Sequence, residues 1–329
     1  MTAPGLATRP LGDTAIEVTP MGLGLAALGR PGYINLGHGT DMSGGTDPTA
    51  MGRHCHGVCE AAWAAGIRYF DAARSYGRGE EFLAAWLAAT GRRPVVASKW
   101  GYEYTAGWRV NAEVHEVKRH TRQQLDRQWA ESRALLGDHL LIYQIHSATL
   151  DSGVLDTPAV LEGLAGLKEQ GLRVGLSLSG PGQGATLERA MALTLDGRRL
   201  FDTVQATWNL LEPGAGAALA AAREMGMGVI IKEALANGRL TARNPGPEIS
   251  PLRTAAQLTG HAMDTLALAA VLARPWVDVV LSGAATVVQL ASNRAALDVE
   301  WTPELEALTR PMAESSGAYW AARSALHWN

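Results

Sequence analysis

The sequence predicts a single (β/α)₈ barrel (a TIM barrel) spanning residues 1–329, with long loops at the C-terminal face of the barrel. Three observations carry this expectation. Short apolar runs alternate with longer amphipathic ones along the whole chain. The apolar runs are near-continuous, as strands buried on both faces of a parallel sheet require. There are eight of them, and eight strand–helix units suit a closed barrel. An open doubly wound sheet uses the same alternation and is the competing arrangement. The length of 329 residues exceeds the usual domain, but α/β barrels commonly run this long as one unit.

The strands are read, in order, in MGLGLAAL from Met21, IRYFDA from Ile67, PVVASKW from Pro94 and LLIYQIH from Leu140. RVGLSLS from Arg173, TVQATWN from Thr203, GVIIKEA from Gly228 and VDVVLSG from Val277 complete the set. The intervening helices carry start and stop signals. In DTPAVLEGLAGLKEQG, Thr157 is placed to cap, Pro158 suits the first helical position and Gly171 closes the helix. Val160, Leu161, Leu164 and Leu167 form its apolar stripe. Two segments interrupt the alternation: residues 29–49 after the first strand and 101–111 after the third. Both fall at the C-terminal mouth, where barrel active sites lie.

Composition narrows the function. Hydrophobic residues make up 47% and charged residues 19%, an ordinary globular balance with a core that needs no disulfides. A net charge of −3, with no long Lys/Arg run, argues against nucleic-acid binding. No apolar stretch approaches the roughly 18 residues of a membrane span. Met1 to Pro10 lacks an apolar signal core, so a cytoplasmic location is expected. The two cysteines, Cys55 and Cys59, share one helix face beside His54 and His56. Structural zinc wants four converging ligands, so a buried helix face is the expected role and no metal is assigned. Lysine is scarce: Lys99, Lys118, Lys168 and Lys232. Lys99 and Lys232 sit in apolar runs, where a compact cation of tunable pKa does what arginine cannot.

Three motifs mislead. SGPGQG from Ser179 and GLGLAALG from Gly22 have the wrong spacing for a Rossmann fingerprint and read as plain turns. HEVKRH from His115 spaces its histidines five apart, which is not H-E-x-x-H, and reads as a solvated helix start.

Four ionisable residues fall at or just beyond the ends of strands two, three and four: Asp71, Tyr76, Lys99 and His146. Neighbouring strand ends converge on one mouth, so these side chains can meet. A phenol, with a pKa near 10, is a weak acid–base group at neutral pH unless a cation such as Lys99 lowers that value. Asp71 would orient Lys99, and His146 would polarise a substrate carbonyl. Reduction of a carbonyl needs hydride as well as a proton, and no side chain supplies hydride, so a nicotinamide is implied. Trp100, Trp108 and Trp208 are expected to line the mouth for an aromatic, aliphatic or sugar carbonyl compound.

These blocks resemble the aldo-keto reductase family over nearly the whole chain. FDAARSYGRGEE resembles its Asp-Tyr block, SKWG its lysine block and LIYQIH its histidine block, which implies a catalytic tetrad of Asp71, Tyr76, Lys99 and His146. LKEQGLRVGLS and VQATWNLL resemble the segments whose Ser and Gln, here Ser177 and Gln205, hold the nicotinamide carboxamide. LSGAATVVQLASNRAAL resembles the adenosine-phosphate segment and implies cofactor contacts from Gly283, Thr286, Gln289 and Asn293. Departures are visible: Leu178 stands where many members carry Asn, Lys232, also expected to contact the cofactor, stands where many carry the Tyr that stacks on nicotinamide, and Glu233 where many carry Ser. Gly283 and Gln289 replace basic residues, leaving Arg294 as the nearest cation for a 2′-phosphate. The resemblance implies an NADP(H)-dependent oxidoreductase acting on a small carbonyl or sugar substrate, with NAD(H) also possible. A barrel lyase using Lys99 as a Schiff base, a sugar dehydrogenase using NAD(H) and a non-catalytic nicotinamide-binding regulatory subunit are the alternatives.

Overall fold

Apolar runs that are wet on neither face must be covered on both, and a barrel does this by placing side chains inside and helices outside. The computed structural model describes residues 6–42, 45–195 and 197–329. Met1 to Gly5, within the N-terminal segment expected to lack a signal core, and Ser43 and Gly44, within the first long loop, lie outside the described residues.

All eight expected strands form and close one parallel barrel. They are β1 (Met21–Gly24), β2 (Tyr69–Asp71), β3 (Val95–Trp100) and β4 (Leu140–Ala148), followed by β5 (Arg173–Leu178), β6 (Thr203–Thr207), β7 (Gly228–Lys232) and β8 (Val279–Ser282). Closure is made by β8 against β1, with Leu281 opposite Gly22. The open sheet is thereby excluded.

The N-terminal end of the barrel is plugged by a short antiparallel pair, Arg9–Pro10 with Glu17–Val18. Leu11 and Val18 pack there with Tyr69, Ile142 and Ile230. The plug sits so close that a Cβ on Gly12, whose φ is +52°, would lie 2.4 Å from the Gly228 nitrogen. With that end sealed, the opposite mouth is left for chemistry.

Local details depart from the sequence reading in two places. Thr157 does not cap its helix, Pro158–Glu169; its hydroxyl donates to the Gly153 carbonyl instead, at 2.9 Å. HEVKRH is not a helix start. Glu116–Lys118 is extended and pairs antiparallel with Tyr102–Tyr104, so the loop after β3 becomes a hairpin. Cys55 and Cys59 lie buried on the helix Pro48–Ala64 with their sulfurs 3.9 Å apart. His54 and His56 reach two different backbone carbonyls, of Ala285 and Phe82.

Candidate active site

Tyr76 is placed by the close approach of two loops. A Cβ on Gly29, just after β1, would lie 2.2 Å from the Tyr76 carbonyl oxygen, so any larger residue would drive the Tyr76 loop away. The Arg78 N–H donates to the Gly29 carbonyl at 2.8 Å, and the Arg74 N–H to the Lys99 carbonyl at 3.1 Å. Asp71 ends β2, Lys99 is the penultimate residue of β3 and His146 lies in β4, three adjacent strands. The four side chains therefore meet.

The Lys99 ammonium bonds the Asp71 carboxylate, donates to the Ala72 carbonyl at 3.0 Å and reaches the Tyr76 hydroxyl at 3.4 Å. The second Asp71 oxygen accepts from the Gln205 amide at 2.9 Å. His146 stands edge-on to the Tyr76 ring, with centroids 5.5 Å apart. Its Nδ1 lies 3.3 Å from the Ser75 hydroxyl, which leaves Nε2 for the cavity that His146 lines.

Burial sets the charge states. It pushes the Tyr76 phenol well above its ordinary value, and the Asp71 carboxylate adds to this, Arg30 offsetting part. The expected lowering by Lys99 is thus outweighed: the cation is paired with Asp71, and desolvation decides. Burial, with Lys99, Lys232 and Arg30 nearby, holds the His146 imidazole well below its ordinary value and so neutral. A protonated phenol and a neutral imidazole N–H can both donate to one oxygen atom.

These groups open on a cavity of about 580 Å³, lined near the tetrad by Gln205 and Lys232 and elsewhere by Gly283, Gln289, Asn293 and Arg243. That volume suits a ligand of cofactor size. Asn293 donates to the Ser282 hydroxyl at 2.8 Å, while its Oδ1 is buried without a hydrogen-bond partner. A purine amino group would satisfy such an acceptor, so the residues fit a nicotinamide dinucleotide. Thr286 caps the helix Val287–Arg294, accepting from the Gln289 N–H at 3.2 Å, and is not on the cavity wall.

Other expected contacts fall elsewhere. Ser177 is fully buried, and its hydroxyl accepts from the Ser147 N–H at 2.9 Å, bracing β4 against β5; Ser179 lines the cavity instead. Arg294 is tied to Asp298 one turn along its helix. None of the three tryptophans expected at the mouth lines the cavity. Trp100 is fully buried against His120. Trp208 packs edge-on to Trp276 at 5.6 Å. Trp108 packs edge-on to Phe82 and donates to the Thr46 carbonyl at 2.6 Å.

Part of the wall is built from residues that sequence reasoning missed. Arg30 is 3% exposed, bonds Glu116 at 2.9 Å and lies over the Tyr76, Tyr33 and Trp328 rings. Trp328 in turn stacks on His115, with centroids 3.9 Å apart. Arg243 forks onto Asp41 near the adenosine-segment residues. Arg30, in a long loop just after the first strand, had a positional signal; Trp328 and Arg243 had none.

Fold and site together define a (β/α)₈ barrel with an Asp–Lys–Tyr–His cluster at its mouth. The Aldo/keto reductase family model matches residues 35–307, and the chain belongs to that family. Its enzymes are oxidoreductases that use nicotinamide cofactors. Among solved structures, an aldo-keto reductase from Bacillus halodurans in its holo form is 22% identical, with a TM-score of 0.71 over 94% of this chain and 97% of that one. A protein from Pseudomonas aeruginosa assigned to the aldo-keto reductases is 25% identical, with a TM-score of 0.65 over 89% of this chain and 95% of that one. Pyridoxal 4-dehydrogenase of Microbacterium luteolum is 35% identical over 95 residues, 28% of this chain and 23% of that protein. An aldo-keto reductase of Strobilurus tenacellus is 31% identical over 99 residues, 29% of this chain and 26% of its own length. These matches thus span about a quarter of each curated relative. No helix among the described residues is long and apolar enough to cross a membrane.

Proposed function

We propose that this enzyme transfers hydride between a nicotinamide cofactor and a small carbonyl or alcohol substrate, an aldehyde, ketone or sugar, with Tyr76 as the general acid–base. The observation that carries the reading is the Tyr76 hydroxyl 3.4 Å from a Lys99 ammonium that is itself bonded to Asp71. When bound, the cofactor supplies or accepts the hydride. Tyr76 donates a proton to the substrate oxygen, and the neutral His146 donates a hydrogen bond to the same atom. Lys99 steadies the phenolate left behind, and Asp71 holds Lys99 in place. Burial keeps the resting phenol protonated, the form that the reduction step requires.

The cofactor is NADP(H), with only a modest preference over NAD(H). Gly283 and Gln289 offer no charge to a 2′-phosphate. Arg243 is the cation lining that part of the cavity among the described residues, but its guanidinium is shared with Asp41. A second reading, oxidation of a sugar or other small alcohol with NAD(H), is favoured by that same neutralised arginine and by the local likeness to pyridoxal 4-dehydrogenase. Titrating both cofactors by tryptophan quenching, then screening aldehydes, ketones and sugars in both directions, decides between them. Reduction of carbonyls at pH 7 with either cofactor supports the first reading. Absence of nicotinamide binding would sink both.

A further inference from the structure

Lys232 is the residue that the chemistry just described leaves unused. It ends β7, its side chain is 16% exposed, and it lines the cavity beside Gln205 and Asp71. Its ammonium makes one hydrogen bond, to the Thr207 hydroxyl at 3.1 Å. Thr207 passes that bond on to Glu233 at 3.1 Å. An ammonium has three N–H donors, so two remain for something in the cavity. Its acidic neighbour cannot neutralise it fully. Glu233 lies 3.9 Å away, but Arg323 forks onto the same carboxylate, so Lys232, Glu233 and Arg323 together carry one net positive charge.

The donors that would otherwise grip a nicotinamide carboxamide are scarce. Leu178 has no polar side-chain atom, Ser177 is enclosed behind the wall, and one of the two Gln205 amide N–H donors is engaged by Asp71, which leaves its second N–H and the Ser179 hydroxyl as the neutral donors there. Hydride transfer requires the nicotinamide ring next to the carbon whose oxygen is held by Tyr76 and His146. That places the ring on the stretch of wall shared by Gln205 and Lys232.

Building on the function proposed above, we propose that Lys232 is a redox-state selector: its ammonium donates to the nicotinamide carboxamide and favours the neutral reduced ring over the cationic oxidised one. A charge in a partly desolvated site repels a like charge and strengthens a hydrogen bond to a neutral carbonyl. Both effects act in the same sense, tightening the reduced cofactor relative to the oxidised. During turnover the oxidised product is thereby released more readily than the reduced cofactor.

The test is the dissociation constant of NADPH, NADP⁺ and 2′-phospho-ADP-ribose, which lacks the nicotinamide, for the parent and for Lys232→Met, read by tryptophan quenching. Lys232→Met should weaken NADPH about 10-fold while changing NADP⁺ by less than about threefold, so that the ratio of the two constants falls; tenfold corresponds to about 1.4 kcal/mol. 2′-Phospho-ADP-ribose should bind both forms equally. Lys232→Gln, which keeps a donor without charge, should lose the gap between redox states yet bind NADPH more tightly than Lys232→Met. Equal shifts for both redox states, no shift in either, or a parallel weakening of 2′-phospho-ADP-ribose would overturn the assignment while leaving the proposed function intact. A parent protein that binds 2′-phospho-ADP-ribose no more weakly than NADPH would also overturn the assignment, whereas one that binds neither NADPH nor NADP⁺ would overturn both.

Discussion

The reacting centre and the rest of the cavity wall are built on different principles. Asp71, Lys99 and His146 come from three adjacent strands whose spacing the barrel register fixes. Their convergence follows once the strands are known. Beyond Gln205 on β6, Lys232 on β7 and the helix residues Gln289 and Asn293, much of the remaining wall is assembled from loops that meet only in three dimensions. Arg243 bonds Asp41 across 202 residues of sequence, and Asn329 reaches the Asn35 carbonyl across 294. Machinery shared by a fold rests on its strand ends, whereas recognition rests on loop pairings that differ from chain to chain.

That contrast is open to direct attack, beginning with the largest effects. Lys99→Arg should lower kcat by about 10² or more, although charge is kept. A forked, always-protonated guanidinium cannot occupy the compact place between Asp71, the Ala72 carbonyl and Tyr76. Steady-state kinetics check this, and retention of most activity would contradict the role of a strand-fixed ammonium.

Two tryptophans sharpen the comparison next. Trp208→Ala should cost stability, about 3 kcal/mol, because a 6%-exposed indole packed on Trp276 is removed from the core. Trp328→Ala should leave the melting temperature nearly unchanged and raise KM for the substrate several-fold, since its ring lines the cavity over Arg30. Thermal unfolding and KM measured on both variants should show these effects; the reverse pattern would mean the wall has been assigned to the wrong residues.

At the adenosine end, Asp41→Asn frees the Arg243 guanidinium from its carboxylate. The preference for NADP(H) over NAD(H) should then widen by about tenfold, read as the ratio of dissociation constants. If the ratio does not move, Arg243 does not meet the phosphate.

The smallest expected effect is a pH dependence. Burial lowers the Lys232 ammonium to about 8, with Glu233 partly restoring it and Arg323, Lys99 and Asp71 also facing it. The neutral His146, packed nearby, adds no charge. The protonated form is the one that favours reduced cofactor, so NADPH affinity should be full below pH 8 and fall a few-fold as pH rises through it. A flat profile from pH 7 to 9 in the parent, matching that of Lys232→Met, would contradict the charge assignment.

How much the sequence disclosed follows from the same physics. All eight strands were legible because burial on both faces leaves a continuous apolar signature. The meeting of Asp71, Tyr76, Lys99 and His146 was legible because each stands at or near such a strand end. The extended Glu116–Lys118 was misread, since three residues pairing in a mouth hairpin leave no periodicity. Trp100 and Trp208 were misplaced because an aromatic residue near a strand end can turn into the core as easily as into the mouth. Ser177 was expected at the ligand, yet side-chain alternation at the β4–β5 register shift turns it to the Ser147 backbone. The protonation of Tyr76 reversed the expectation because a nearby cation is legible in sequence and desolvation is not.

Tyr76, as the proposed proton donor, is the group on which the chemistry turns. Tyr76→Phe removes one oxygen atom and leaves the ring beside His146 and under Arg30. Measuring kcat for carbonyl reduction together with the Kd of NADPH should give a loss of about 10² to 10⁴ in kcat with Kd within about threefold of the parent. A variant whose kcat stays within about threefold of the parent would contradict the assignment of Tyr76 as the acid.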